Sequence, residues 1–154
     1  VVKTPKIYFC DTGLVSYLLG IETPEQMIRD PLLGNIFENF VVIEALKTRL
    51  NLGLEPNLYF FRNSNGLEID LILLEQNKLK LFEIKSGKSL NDEFCRNMKN
   101  FSAKYNEDIL STSTKGTVIY SGETYESFKD FGFYNFSNIP QLFESKTSTF
   151  RLNF

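Results

Sequence analysis

Residues 67–86, LEIDLILLEQNKLKLFEIKS, constrain the fold more than any other stretch of the chain. Two apolar runs of strand length flank Gln76-Asn77, a pair suited to a tight turn, so the runs fold back on each other as an antiparallel hairpin. A turn centred there sets Glu75 against Lys78, Leu74 against Leu79 and Ile72 against Leu81. Carried further, the same register brings Asp70 opposite Glu83 and Glu68 opposite Lys85. Alternate residues of a strand share a face, so these four are expected on one face. Like charges directly opposite each other cost about 0.2–1 kcal/mol. A cation between Asp70 and Glu83 removes that cost, and Mg or Mn suits donors that are all oxygen. Lys85, on the same face, could orient or help deprotonate a water, or stabilise charge developing on a phosphate. The alternative is a solvated strand end at which Glu68 and Lys85 form an ordinary salt bridge.

Around the hairpin the chain reads as a mixed α/β domain. LYFFR (58–62) is a third strand, joined to the hairpin through Asn63-Ser64-Asn65-Gly66, and the three make an antiparallel meander. Before it, a helix is predicted over 32–50, with Asp30-Pro31 at its start and Gly53 after its end. Leu33, Ile36, Phe37, Phe40, Val41, Ile43 and Leu46 surround most of that helix, so it is buried, and Glu38 and Glu44 are its unusual residues. After the hairpin, Leu90, Phe94, Met98 and Phe101 mark a helix over 90–105 that packs on the core, and GTVIYSG (116–122) reads as a buried strand. FKDFGFYNF and IPQLFES suggest one short strand and a closing helix. At the other end, PKIYFCDTG reads as a short strand, LVSYLLG as one or two helical turns stopped by Gly20, and TPEQMIRDP as a connection with a helical turn after Thr23 and Pro24.

Residue usage removes several chemistries. The 154 residues include no histidine, which excludes Ser-His-Asp and Cys-His catalysis and histidine-bearing zinc sites. Cys10 and Cys95 match no metal spacing, and a reducing, cytoplasmic setting is expected. No charged-then-apolar leader and no membrane-length apolar run occur, so no membrane association is expected. With 17 basic and 19 acidic residues the net charge is −2, which weighs against a dedicated nucleic-acid binder. The chain is expected to be a piece of a longer protein, with a strand-and-helix extension over 1–30 and one domain over 31–154.

The order of helix with Glu38, strand with Asp70, strand with Glu83-Ile84-Lys85, helix and strand resembles the PD-(D/E)XK nuclease superfamily. KIYFCDTGLVSYLLG, GNIFENFVVIEALK, YFFRNSNGLEIDLIL and FEIKSGKS further resemble one family, the C-terminal domain of unknown function that follows the ATPase module in many prokaryotic AAA-type ATPases. The likeness covers about residues 3–105 well. It implies an α+β fold with a mixed sheet and an αβββαβ restriction-endonuclease-like core. It also implies Asp70 and Glu83 as ligands of Mg or Mn, with the Ile84 backbone carbonyl, Lys85 as the catalytic lysine, and Glu38 as the helix acid that tunes or binds a metal. Glu44 does not match the motif, and Ile69 stands where the superfamily motif has proline. Arg62 and Glu68 fall where the family also carries polar residues. DNA would be held by Arg62 and Lys88, with Arg96, Lys99 and Lys104 explained as well by a solvated helix face. ATP would bind only in an upstream ATPase domain of the same chain. The implied function is a metal-dependent nuclease domain acting on DNA, and the competing one is a nuclease-like module kept for interaction or sensing without cleavage. Oligomeric state is not set by the sequence.

Overall fold

A computed structural model describes residues 5–105, 110 and 115–145. Three short helical or strand elements would be expected before the long helix; two helices are found, α1 (Thr12–Leu18) and α2 (Pro24–Arg29). Asp11 caps the first by accepting from the Leu14 amide, and Thr23 and Gln26 cap the second reciprocally, behind Pro24. The expected strand at the start is absent among the described residues: 5–11 run without a sheet partner. The reason is local. The peptide groups of Phe9 are paired by a side chain instead, since its N–H donates to Asn39 Oδ1 and its carbonyl accepts from Asn39 Nδ2, at 2.7 and 2.9 Å.

The buried helix α3 spans Leu33–Asn51. Asp30 Oδ1 takes the otherwise free Leu32 amide at its start, and Gly53, at a φ of 68°, turns the chain out of it. Arg49, 3% exposed, fastens its last turn by donating to the carbonyls of Glu55 and Phe143 and pairing with Glu75.

Next come β1 (Leu58–Arg62), β2 (Glu68–Glu75) and β3 (Lys78–Lys85), then α4 (Arg96–Lys104) and β4 (Thr117–Tyr120). Gln76 and Asn77 both take positive φ, 51° and 60°, so the two-residue hairpin loop has the twist its strands require. Where one short strand was expected there are two, β5 (Tyr125–Phe128) and β6 (Phe131–Asn135), before the closing helix α5 (Ile139–Phe143). Lys129 and Asp130 make that second turn, at φ of 50° and 72°. Asp130 tolerates left-handed φ, but with neither glycine nor asparagine beside it the turn signal is weak.

The six strands form one mixed sheet in the order β1-β2-β3-β4-β6-β5. β1, β2 and β3 are antiparallel neighbours, β3, β4 and β6 run parallel, and β5 returns antiparallel on the edge. One core lies between the sheet and α4, where Ile69, Ile72, Leu81 and Val118 meet Cys95, Met98 and Phe101. The other lies on the opposite face, where Leu71, Leu73, Phe82, Ile84 and Ile119 meet Val41, Val42 and Ala45 of α3 and Ile139 and Phe143 of α5. The element order α3-β1-β2-β3-α4-β4 is the one expected.

Candidate functional site

The predicted acids meet where two strands part. Pairing of β2 with β3 runs from Glu75–Lys78 to Leu71–Phe82, in the expected register. Beyond that point β2 stays with β1, through Ile69–Phe61 and Glu68–Arg62, while β3 stays with β4. Asp70 reaches across the gap, and the Ile84 amide donates to its Oδ2 at 2.8 Å, so a carboxylate satisfies a strand N–H. Lys85 Nζ donates to Glu83 Oε1 at 2.7 Å and lies 3.9 Å from Asp70 Oδ2. One ammonium thus bridges both carboxylates.

The expectation that the four charged residues share one face, on which the register argument for the site rested, is overturned. Between the pairs Tyr59–Ile72 and Phe61–Ile69, one residue of β1 faces two of β2, Asp70 and Leu71. This bulge reverses the alternation of β2. Ile69 and Ile72, three apart, therefore share the α4-side core, and Glu68 and Asp70 turn toward α3, where they line a groove with Glu38 and Tyr8. Glu83 stays on the other side, beside Val118 in the sheet. The four charged residues do not stack on one face; they converge on the gap from two. The expected Glu68–Lys85 salt bridge is accordingly replaced. Glu68 takes both prongs of Arg62, at 2.8 and 2.9 Å, and the Lys6 ammonium at 2.7 Å.

Burial sets the electrostatics. Glu83 is 3% exposed, and its Oε2 is buried without a hydrogen-bond partner. A buried polar atom left unpaired costs about 1–3 kcal/mol, and more if charged. Dehydration first, and then the Asp70 charge, push the Glu83 pKa up to about 7 against the pull of Lys85. Burial also raises Asp70, opposed by the Ile84 N–H and by Lys85. Burial works against the Lys85 ammonium, but the Glu83 carboxylate bound to it outweighs this, with Asp70 and Glu38 adding to the effect, and its pKa stands above the usual lysine value. Lys85 is therefore firmly an ammonium at neutral pH.

Glu38 lies on the α3 side of the same cluster. Its Oε1 accepts from Lys6 Nζ at 2.9 Å and from Tyr8 Oη at 2.8 Å. A groove of about 630 Å³ opens here, lined by the charged Lys6, Glu38, Arg62, Glu68 and Asp70 and by the apolar Leu18, Leu19, Leu32 and Ile36. The contacts sort the acids by availability. Those to Glu38 converge on Oε1, those to Asp70 on Oδ2 and those to Glu83 on Oε1, so each keeps a second oxygen outside them. Both oxygens of Glu68 are taken, which makes it an anchor for Lys6 and Arg62.

Among the described residues, no group of three or more His, Cys, Asp or Glu side chains is gathered so as to hold a metal ion. The set that could hold a hard divalent cation is Asp70, Glu83 through its second oxygen, and the Ile84 carbonyl. Its donors are all oxygen, as Mg or Mn requires.

The basic residues expected to meet DNA divide. Lys88 is exposed beside a second hollow, shared with Tyr120, Ser121, Thr124, Tyr125 and Asn135, while Arg62 is engaged by Glu68. Arg96 pairs with Glu93 and Lys99 with Asp92, and Lys104 lies over the Tyr105 ring. Sequence reasoning missed Lys6, Tyr8 and Asn39. In KIYF the polar side chains occupy alternate positions, and the fold turns that side inward, leaving Ile7 85% and Phe9 47% exposed.

A mixed-sheet α/β domain with a lysine-bridged pair of carboxylates at the parting of two central strands is the class that fold and site define. The chain belongs to the family described as domain of unknown function DUF4143, whose profile matches residues 33–142. Two mycobacterial proteins, both described as uncharacterised, are similar to it, one from Mycobacterium bovis and one from Mycobacterium tuberculosis. Each is 40% identical over 84 residues, which are 54% of this chain but 18% of the relative. The chain thus accounts for under a fifth of the length of these curated relatives. No solved structure matches it.

Proposed function

We propose that this domain is a nuclease module that hydrolyses DNA phosphodiesters with Mg or Mn, as part of a longer, cytoplasmic polypeptide that carries an ATPase module. The observation that carries the reading is the Asp70–Lys85–Glu83 bridge at the strand gap, with Glu83 Oε2 buried and unpaired. A scaffold gains nothing from a buried carboxylate oxygen left without a donor beside a second acid. A site for a cation does.

Asp70, Glu83 and the Ile84 carbonyl would hold the ion. When bound, it supplies Lewis-acid polarisation of the phosphate and a more acidic water. Lys85, an ammonium set between Asp70 and Glu83, would face the charge that develops on the phosphate. The Ile84 amide keeps Asp70 oriented throughout. Lys88, exposed three residues beyond Lys85, offers a backbone contact to DNA. Support for the longer polypeptide comes from the relatives, in which this region is 18% of the length. No described helix is long and apolar enough to cross a membrane.

The test is nicking of supercoiled plasmid by the chain in Mg²⁺ or Mn²⁺, beside Asp70→Asn and Lys85→Ala. Metal-dependent nicking by the parent and none by either variant is expected. Nicking that survives both substitutions would come from elsewhere and overturn the assignment. One observation favours the second reading, a module for interaction without cleavage: Lys6, Arg62 and Lys85 already answer the acids from within the chain. A parent that neither nicks nor melts higher with either ion decides for it.

A further inference from the structure

We infer that the site extends beyond the region the family profile matches, and that Tyr8, with Lys6, is a positioning residue for Glu38. The inference rests on the cation-site reading above. Residues 5–9 lie outside 33–142, yet they cross α3 with their polar side chains turned in. Lys6 Nζ spans Glu38 Oε1 and Glu68 Oε1, at 2.9 and 2.7 Å, and its side chain is 15% exposed. Tyr8 Oη donates to the same Glu38 oxygen at 2.8 Å, and the Phe9 peptide is held at both ends by Asn39, one residue along α3. Four polar contacts thus tie five residues to one turn of helix.

The convergence on one oxygen is the informative part. The Tyr8 phenol adds a charge-assisted hydrogen bond to the oxygen that already pairs with Lys6. Two donors on Oε1 fix the rotation of the carboxylate, and so fix where Oε2 points. Asp70 is likewise held through one oxygen, its Oδ2 accepting from the Ile84 N–H with Lys85 Nζ 3.9 Å away. Glu38 and Asp70 line the same groove. Partners that orient a ligand in this way are worth a large factor in ion affinity without touching the ion.

Tyr8→Phe isolates the effect, because it removes one hydrogen bond, keeps the ring against the α3-side core and changes no charge. Mn²⁺ affinity would be measured by calorimetry for the parent, Tyr8→Phe, Glu38→Gln and the double variant. Weakening of about ten-fold by Tyr8→Phe is expected, with no further loss when it is added to Glu38→Gln. A second cycle, on urea unfolding without metal, should show that the two substitutions are not additive, as their contact demands. If the parent binds Mn²⁺ and Tyr8→Phe binds it equally well, while the metal-free cycle shows coupling, the contact is structural and the inference is overturned. Loss of affinity in Tyr8→Phe that adds fully to that of Glu38→Gln would also overturn it, since Tyr8 would then act by another route. A parent that binds no Mn²⁺ overturns the cation-site reading itself, a different result from either.

Discussion

Glu83 titrates ordinarily near 4.5 and is pushed up to about 7 in the fold, by burial and then by Asp70. Between those values the folded protein keeps a proton that the unfolded chain has lost. Stability of the metal-free domain should therefore fall as pH rises from about 4.5 to about 7 and level off above. Asp70, raised by burial, adds to the slope with the same sign. Glu83→Gln should flatten the profile and stabilise the domain on the order of 1 kcal/mol at about pH 8, while leaving it unchanged or weaker at about pH 5. Urea titrations at the two pH values measure both effects, and a parent that gains stability across this range would show that Glu83 is charged and satisfied. Lys85→Ala should abolish nicking while Mn²⁺ binds as well or better, because a cation competing for the carboxylates is gone; lost affinity would make Lys85 a structural partner instead. Much of this was legible. Glu83, Lys85 and Asp70 stand out in the sequence because charged residues interrupt apolar strands. Lys6 and Tyr8 did not, since a lysine and a tyrosine in a short polar-apolar alternation suit any exposed strand, and only the fold shows which side turns in.

At the scale of elements, the long helix and the hairpin turn fall where periodicity and turn chemistry place them, because burial of a continuous apolar surface overrides local detail. The bulge at Asp70 and Leu71 was not legible. It adds one residue within the apolar run Leu71-Ile72-Leu73-Leu74, where no change of residue type marks which face each side chain takes. The second short hairpin was only weakly marked, as Lys129-Asp130 lacks the glycine or asparagine that left-handed φ favours. Arg49 shows how α3 is held to the rest. It joins Glu55, Glu75 and the last carbonyl of α5 from a buried position. Arg49→Met should cost on the order of 3 kcal/mol in urea unfolding, because Glu75 and two carbonyls lose their donor at once. A loss below about 0.5 kcal/mol, the range of ordinary surface changes, would show that Lys80 alone satisfies Glu75.

For the whole molecule, the mixed sheet was legible as a class and its strand order was not. Nothing local determines that β6 inserts between β4 and β5. A thermal melt reads the whole fold, and a ligand that binds only the folded state raises its stability, by about 2.7 kcal/mol at one hundred times its Kd. Mg²⁺ or Mn²⁺ should raise the melting temperature of the parent and fail to raise that of Asp70→Asn. Equal shifts in both would place the ion away from the gap.

The parallel pairing of β3 with β4 also has a kinetic consequence. β1, β2 and β3 are joined by short turns, so their contacts close with little loss of chain entropy, whereas β4 must return across α4. Asp70 and Glu83 are thus brought together while still wet, and Glu83 is sealed only when Val118 arrives beside it. The work of dehydrating that acid then falls on the docking of β4, late along the route. Refolding should be faster below about pH 7, where Glu83 can be sealed as a neutral acid, and Glu83→Gln should refold at one speed on either side. Stopped-flow refolding across that pH would measure it, and a parent whose rate ignores pH would put the sealing of Glu83 after the barrier.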